Sequence, residues 1–259
     1  MESIILAAGF ASRFNFKDST FKKFMLPLRN SVLLNYVMGG MFMAGINKIN
    51  IIIDENVDQR SIIESFNNFI EKSNLNINEL KINFIPNLYP ERENGYSLFL
   101  GVREVKSLYF ILSMADHIFS INVYLHLINN YNEEDVVLAT DPMEIQGMYD
   151  LDDCTKVLGE SKQIKNIGKK IPTYNRLDMG AFIMKTSTIK EKAQQIEKKL
   201  NNFGVSDILL SAIEENLKVN YFDFPNTIWI DVDNEIEYNK VKNTFYLSSL
   251  YKPFELEFE

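Results

Sequence analysis

The chain has 259 residues, 46% of them hydrophobic and 24% charged, which is globular composition and suits one large α/β domain or two small ones. Its 35 acidic and 27 basic residues give a net charge of -8 with no dense Lys/Arg block, so a nucleic-acid partner is not expected. A single cysteine, Cys154, excludes an intrachain disulfide. No apolar run reaches the roughly 18 residues of a membrane span, and Met1-Glu2-Ser3 lacks the positive flank of a secretory signal. A cytoplasmic location is expected.

The first predicted element is the apolar run Ser3-Ile4-Ile5-Leu6-Ala7-Ala8, stopping at Gly9, the pattern of a buried parallel strand. Leu34, Val37, Met38, Met41 and Phe42 recur at helical spacing over 31–44, with Gly39-Gly40 marking close packing. A strand over 48–53 closes on Asp54, an amphipathic helix follows over 61–70, and a strand over 81–85 precedes Pro86. Then come a helix over 97–105, a central strand over 108–114, a helix over 121–130 and a strand over 136–140. The alternation predicts an α/β fold with a Rossmann-like, mostly parallel sheet flanked by helices on both faces. After Pro142 the expected elements are short strands at 155–158, 164–167 and 181–184, helices over 188–200 and 206–215, strands over 219–224 and 228–232, and a last helix from Glu235. A single domain with a small lid-like insertion in its second half is the simplest organisation.

Leu6-Ala7-Ala8-Gly9-Phe10-Ala11-Ser12-Arg13, followed by Lys22-Lys23-Phe24-Met25-Leu26-Pro27, carries the strongest local chemistry. A strand ending in small residues and Gly lets backbone N–H groups approach a triphosphate. Arg13 can hold phosphate oxygens with its fork of donors, and Lys23 adds a point charge where negative charge builds up during attack at phosphorus. A glycine turn alone is often only a tight turn beside a surface Arg. The whole set resembles the nucleoside-triphosphate transferase family of sugar-phosphate nucleotidyltransferases. That family opens with a strand, an L-A-A-G-x-G-x-R loop and a P-K-x-x-L-P element. On these matches Gly9, Arg13 and Lys23 correspond to the loop Gly, its Arg and the catalytic Lys. Two departures are Ala11 for the second loop Gly and Lys22 for the Pro before the Lys.

Leu112-Ser113-Met114-Ala115-Asp116-His117 delivers a carboxylate at the C-terminal end of an apolar strand, where parallel α/β sheets place ligands. Such an Asp is also a common helix cap or turn residue; as a hard oxygen ligand Asp116 suits Mg2+, and the resemblance implies the metal role. In Trp229-Ile230-Asp231-Val232-Asp233, strand alternation puts Asp231 and Asp233 on one face. Two like charges there want a cation between them, although a solvated edge strand would read the same way. The stretch resembles the family's W-x-D-[IV]-D element, which implies Asp233 as the second metal ligand with Asp231 as its rival or outer partner.

Asn94 and Ser97 in Glu93-Asn94-Gly95-Tyr96-Ser97-Leu98 can cap the helix they open. The resemblance implies that this segment, Gly95 included, contributes to nucleotide recognition together with Leu6, Ala7, Ala8, Gly9 and Asp116. The run, with Asp116-His117 downstream, is similar to archaeal-type inositol-1-phosphate cytidylyltransferases. So are Thr155-Lys156-Val157, Ile167-Gly168-Lys169 and Leu177-Asp178-Met179-Gly180-Ala181-Phe182, which look like the acceptor side of those enzymes. There Lys156 and Lys169 would neutralise a phosphomonoester and Asp178 would accept bonds from its hydroxyls, while His117 would touch the substrate or fix its loop.

The resemblance implies a Mg2+-dependent nucleotidyltransferase, most simply one moving CMP from CTP to inositol 1-phosphate. Its nucleotide-binding half would span 1–142 and its acceptor-binding, metal-completing half 143–259. Its partners would be CTP and a phosphorylated alcohol, with a homodimer left open. Alternatives are a cytidylyltransferase for phosphocholine or a phosphonate and a thymidylyl- or uridylyltransferase for a sugar 1-phosphate. The inositol enzymes are often fused to a membrane-embedded synthase, and nothing after Pro253 reads as one, so a free-standing enzyme or an excised domain is expected. A non-catalytic nucleotide sensor would be expected to lose Lys23 or the carboxylates. A Rossmann dehydrogenase would want G-x-G-x-x-G after the first strand, although Asp54 does end the second.

Overall fold

Alternate residues of the first strand, β1 (Glu2–Ala7), feed two different cores, with Ile4 and Leu6 in one and Ile5 and Ala7 in the other. This is the two-residue repeat of a pleated strand buried on both faces. The computed structural model describes residues 1–9, 22–29, 31–73, 79–143, 150–227 and 229–243. Ala11 and Arg13 of the amino-terminal loop lie outside the described residues, as does Ile228.

The chain continues through the two-residue strands β2 (Pro27–Leu28) and β3 (Ser31–Val32), then α1 (Leu33–Met43), β4 (Lys48–Asp54), α2 (Gln59–Lys72) and β5 (Lys81–Asn87). Next are α3 (Glu93–Glu104), β6 (Tyr109–Met114), β7 (His117–Phe119), α4 (Asn122–Asn130) and β8 (Val136–Asp141). The second half supplies β9 (Lys156–Glu160), β10 (Gln163–Gly168), β11 (Arg176–Lys185), α5 (Thr186–Glu197) and α6 (Val205–Glu214). It closes with β12 (Val219–Asp223), β13 (Trp229–Asp231) and α7 (Glu235–Asn243).

Nine strands form one sheet in the order β5-β4-β1-β6-β11-β8-β12-β10-β9, with β9 also touching β11. The strands β5, β4, β1 and β6 run parallel, but β11 enters antiparallel between β6 and β8. The β9–β10 hairpin is antiparallel as well. The sheet is therefore mixed: parallel pairing joins β5, β4, β1 and β6 and recurs between β8 and β12, while β11 and the β9–β10 hairpin interrupt it. A buried strand needs apolar residues on both faces whichever way it runs, so the apolar pattern of β11 does not encode direction.

Helices cover both faces. Side chains of α1, α2, α4 and α7 join one core, and those of α3, α5 and α6 the other. Among the described residues no helix is long and apolar enough to cross a membrane. Two local differences from the sequence expectation shape the clefts above the sheet. The helix predicted to start at 97 starts at Glu93, because Gly95 is there for contact rather than for breaking: a Cβ on it would stand 2.5 Å from Phe203 O. The strand predicted over 181–184 begins at Arg176 and carries a register shift between Asp178 and Phe182, with Gly180 at φ +77°.

Candidate active site

Two clefts adjoin at the C-terminal ends of β1 and β6. One, of about 350 Å3, is lined by Leu6, Ala7, Ala8 and Gly9 from the end of β1, by Lys23, and by Asn94 and Ser97 from α3. The other, of about 400 Å3, is lined by His117, Lys169, Asp178, Asp231 and Asp233. Asp116, in the turn between β6 and β7, lines both. This is where an α/β sheet places its ligands, since β1 and β6 end there and the chain turns away.

A small ribbon outside the main sheet assembles the carboxylates. The strands β7 and β13 pair antiparallel with Asp231 opposite His117, and Val232 N–H donates to Asp116 O at 3.2 Å. Trp229 anchors the ribbon: its Nε1–H donates to Asp141 at 2.9 Å and its ring stacks on His117 at 6.0 Å. β13 stops at Asp231, so Asp233 is not on the strand, yet both side chains reach the second cleft. The Lys23 ammonium forms ion pairs with both Asp116 and Asp233. His117 Nδ1 lies 2.9 Å from Asp116 Oδ1 and 3.6 Å from Asp231 Oδ1.

Burial and mutual charge set the protonation states. Burial alone would favour neutral Lys23, but Asp116, Asp233 and Asp231 outweigh it and hold its pKa above the ordinary lysine range. His117 is pushed up to about 9: burial works against its charge, and the neighbouring Asp231, Asp116 and Asp233 win. Asp116 is held far below the usual carboxylate range, since Lys23 and His117 overcome the cost of burying its charge. Burial raises Asp231 to about 7, with His117 opposing and the Asp116 and Asp233 charges adding to the rise. Burial likewise raises Asp178 to about 6, against the Gly180 N–H that Asp178 Oδ1 accepts at 2.7 Å. At neutral pH two cations, Lys23 and His117, therefore face an ionised Asp116.

The ligand atoms of Asp116, His117 and Asp231 lie within 4.8 Å of one another. Asp231 Oδ1 is buried and accepts no hydrogen bond, and a buried oxygen left unpaired is costly. Those oxygens, with the Asp233 carboxylate beside Lys23, form a donor set suited to a hard cation.

Other expected residues are distributed differently. Asn94 does not cap its own helix. Its Oδ1 accepts from Val205 N–H at 2.9 Å, so it caps α6. Gly95 N–H donates to Phe203 O at 3.0 Å, and Gly95 packs rather than lining a cleft. Ser97 is buried and accepts from Asn87 Nδ2 at 3.0 Å while lining the first cleft. Lys169 lines the second cleft and pairs with Asp153 at 2.8 Å. Lys156 does not line it: its ammonium donates to Leu151 O, Cys154 O and Lys169 O, at 2.7, 3.3 and 3.1 Å. It fastens the loop, and its donors are spent on carbonyls. Asp54, at the end of β4, is engaged by Lys22 at 2.7 Å. Arg13 lies outside the described residues.

Several cleft residues carried no signal in the sequence. Glu91 and Glu93 line the first cleft, and Glu93, Thr155, Gly204 and Ser206 the second. Gly204-Val205-Ser206 reads as an ordinary helix start; only the α3–α6 contact brings it to the site. Glu93 and Thr155 do stand inside the two runs already singled out, which was the one available clue.

A family model described as the MobA-like NTP transferase domain matches residues 3–159. A bifunctional IPC transferase and DIPP synthase of Aquifex aeolicus is 25% identical over 93% of this chain and 50% of its own length. The protein of the same name from Archaeoglobus fulgidus is 30% identical over 56% of this chain and 27% of its own length. The chain thus spans half or less of the length of these relatives. The structure of the inositol-1-phosphate CTP transferase from T. maritima superposes with a TM-score of 0.80 at 21% identity, covering 100% of this chain and 97% of that one. A putative glucose-1-phosphate thymidylyltransferase from Bacillus anthracis gives 0.76 at 15% identity, covering 100% and 98%. At these identities the two structures share the nucleotidyltransferase fold with this chain.

Proposed function

The chain belongs to the MobA-like NTP transferase domain family, and from that premise we propose that it transfers CMP from CTP to inositol 1-phosphate, giving CDP-inositol and pyrophosphate. The observation that carries this reading is Asp116, shared by two adjoining clefts and paired with Lys23. A two-substrate transfer needs two pockets that meet at the reacting phosphorus, with positive charge at the meeting point. The nucleotide takes the cleft of about 350 Å3 and the acceptor that of about 400 Å3. Residues 1–142 supply most of the first and 143–259 most of the second.

The acceptor's phosphate oxygen attacks the α-phosphorus in line, the bond to the β-phosphate oxygen breaks, and pyrophosphate leaves. A phosphomonoester is already nucleophilic near neutral pH, so no dedicated base is required. Leu6, Ala7, Ala8 and Gly9 let the backbone approach the triphosphate. Lys23 and Arg13 neutralise the charge that grows on it. His117, held by Asp116 and Asp231, orients the carboxylates and adds charge toward the incoming phosphate, as does Lys169. Asp178 accepts from an acceptor hydroxyl. Asp116 and Asp231, with Asp233, would hold Mg2+, which when bound supplies charge neutralisation for the polyphosphate.

The acceptor's class follows from the lining of its cleft. Asp153, Asp178, Thr155 and Ser206 line it. A polyhydroxy ring offers donors to the carboxylate and hydroxyl oxygens of such residues. The names of the Aquifex, Archaeoglobus and T. maritima proteins support the same substrates.

Pyrophosphate release tests the assignment, with CTP, UTP and dTTP each offered against inositol 1-phosphate, phosphocholine, a phosphonate and glucose 1-phosphate. Turnover best with CTP and inositol 1-phosphate is the expected result. Preference for another pair would reassign the substrates, and no turnover with any pair would remove the enzymatic reading.

A further inference from the structure

Glu93 stands where the two clefts meet and lines both. Its backbone sits at φ 63° and ψ 179°, a region that belongs almost only to glycine because a side chain crowds the chain there. Its neighbours explain how it is held. Arg92 Nε–H donates to Asn201 O at 2.7 Å, and its guanidinium lies over the Tyr96 ring at 3.9 Å. On the other side Asn94 Oδ1 accepts from Val205 N–H and Gly95 N–H donates to Phe203 O. Both flanks are tied to the connection between α5 and α6, so the residue between them absorbs the strain.

The side chain reaches toward the same connection. Glu93 Oε2 lies 3.7 Å from the point where a Cβ on Gly204 would stand, and Asn94 Oδ1 and Ser206 Oγ lie 3.4 Å from it. Gly204 and Ser206 line the second cleft and not the first, so this carboxylate faces the acceptor side. Among the described residues it has no hydrogen-bond or ion-pair partner. A strained backbone thus holds an exposed carboxylate, with no protein partner among the described residues, at the rim of a cleft.

We propose that Glu93 determines acceptor specificity: its carboxylate accepts hydrogen bonds from adjacent hydroxyls of a phosphorylated polyol seated in the second cleft. The assignment rests on the reading of that cleft as the acceptor site. Two carboxylate oxygens match a pair of neighbouring hydroxyls, giving charge-assisted bonds with defined geometry. A phosphorylated acceptor without hydroxyls makes neither of these bonds, which selects against it.

Calorimetric titration of inositol 1-phosphate and, separately, of CTP into the wild type, Glu93→Gln and Glu93→Gly tests the proposal. Loss of one or two bonds to a charged group weakens inositol 1-phosphate binding by about tenfold in Glu93→Gln, while CTP affinity stays at the wild-type value. Glu93→Gly is expected to bind inositol 1-phosphate as weakly, yet to melt at a higher temperature because glycine relieves the backbone. That combination separates the missing carboxylate from damage to the fold. Wild-type affinity for inositol 1-phosphate in both variants overturns the proposal, as does a loss confined to CTP, which would assign the carboxylate to the ribose. Wild-type turnover with inositol 1-phosphate that both variants match in KM sinks this inference and leaves the reaction standing. A wild type that neither binds nor turns over inositol 1-phosphate sinks both.

Discussion

Asp231 and His117 are register partners across the β7–β13 ribbon, with Asp231 Oδ1 3.6 Å from His117 Nδ1. They are far apart in the chain, and the ribbon alone makes them neighbours. Asp116 hydrogen-bonds the same ring nitrogen, so one imidazole ties the two carboxylates into a single electrostatic unit. Changing any member shifts the charge balance of the rest.

The first consequence concerns metal. Added Mg2+ is expected to raise the melting temperature of the wild type, by a free energy of about 2.7 kcal/mol at a hundredfold excess over Kd. Asp231→Asn is expected to lose most of that shift, since its Oδ1 is the buried oxygen without a hydrogen bond. Differential scanning fluorimetry with and without Mg2+ reads both. An equal shift in the two proteins would exclude Asp231 from the metal site.

Lys23→Ala removes the cation paired with Asp116 and Asp233. Turnover is expected to fall by about two to three orders of magnitude, the scale of losing one charge-stabilising donor. The melting temperature in Mg2+ should stay near that of the wild type, because the divalent ion replaces the missing charge. Steady-state pyrophosphate release measures the first effect, and near-normal turnover would remove Lys23 from the chemistry.

Gly180→Ala tests how closely β11 supports the site. Gly180 has φ +77°, and a Cβ there would stand 2.5 Å from His117 Cδ2. The left-handed backbone costs about 1–2 kcal/mol for a residue with a Cβ, and the collision turns the imidazole away from Asp116 and Asp231. Both stability in urea and kcat are expected to drop. An unchanged kcat would show that the His117 position is not required.

Acid sensitivity should arise far from the clefts. Glu2 is buried, which raises its pKa, but Lys48, the Lys106 N–H and Asn50 overcome that and leave it below its usual 4.5. Glu2 accepts from Lys48 Nζ at 2.7 Å and from the Lys106 and Ser107 N–H groups at 3.0 and 3.1 Å, joining β1, β4 and the connection that leads into β6. Because the folded pKa is lowered, the stabilisation is present above pH 4.5 and fades as pH falls through the folded value. Glu2→Gln is expected to cost about 1–2 kcal/mol at pH 7, with the gap to the wild type closing as the pH falls below 4.5 through the lowered folded value. Urea denaturation at neutral pH and at about pH 3.5 checks it, and a gap independent of pH would contradict it.

That residues 6–9, Lys23, Asp116 and the Asp231/Asp233 pair come together at the two clefts was legible in the sequence, because each stands in a short local pattern at or near a strand end. Glu93 and Ser206 were not, since nothing local distinguishes a cleft-facing acid or hydroxyl from a solvated one. Lys156 was placed at the cleft for a related reason: its neighbours Thr155 and Val157 say that it lies on a strand, not that three carbonyls take its ammonium.

By itself the sequence determined the order of the main strands and helices and which charged groups follow the strand ends. Apolar period and glycine placement are properties of neighbouring residues, and they act before the chain closes. Tertiary structure alone decided that β11 runs antiparallel, that Asn94 caps α6, and that Asp231 rather than Asp233 shares His117 with Asp116. Each of these depends on which surfaces meet across many residues, and the free energy that selects them comes from burying those surfaces together.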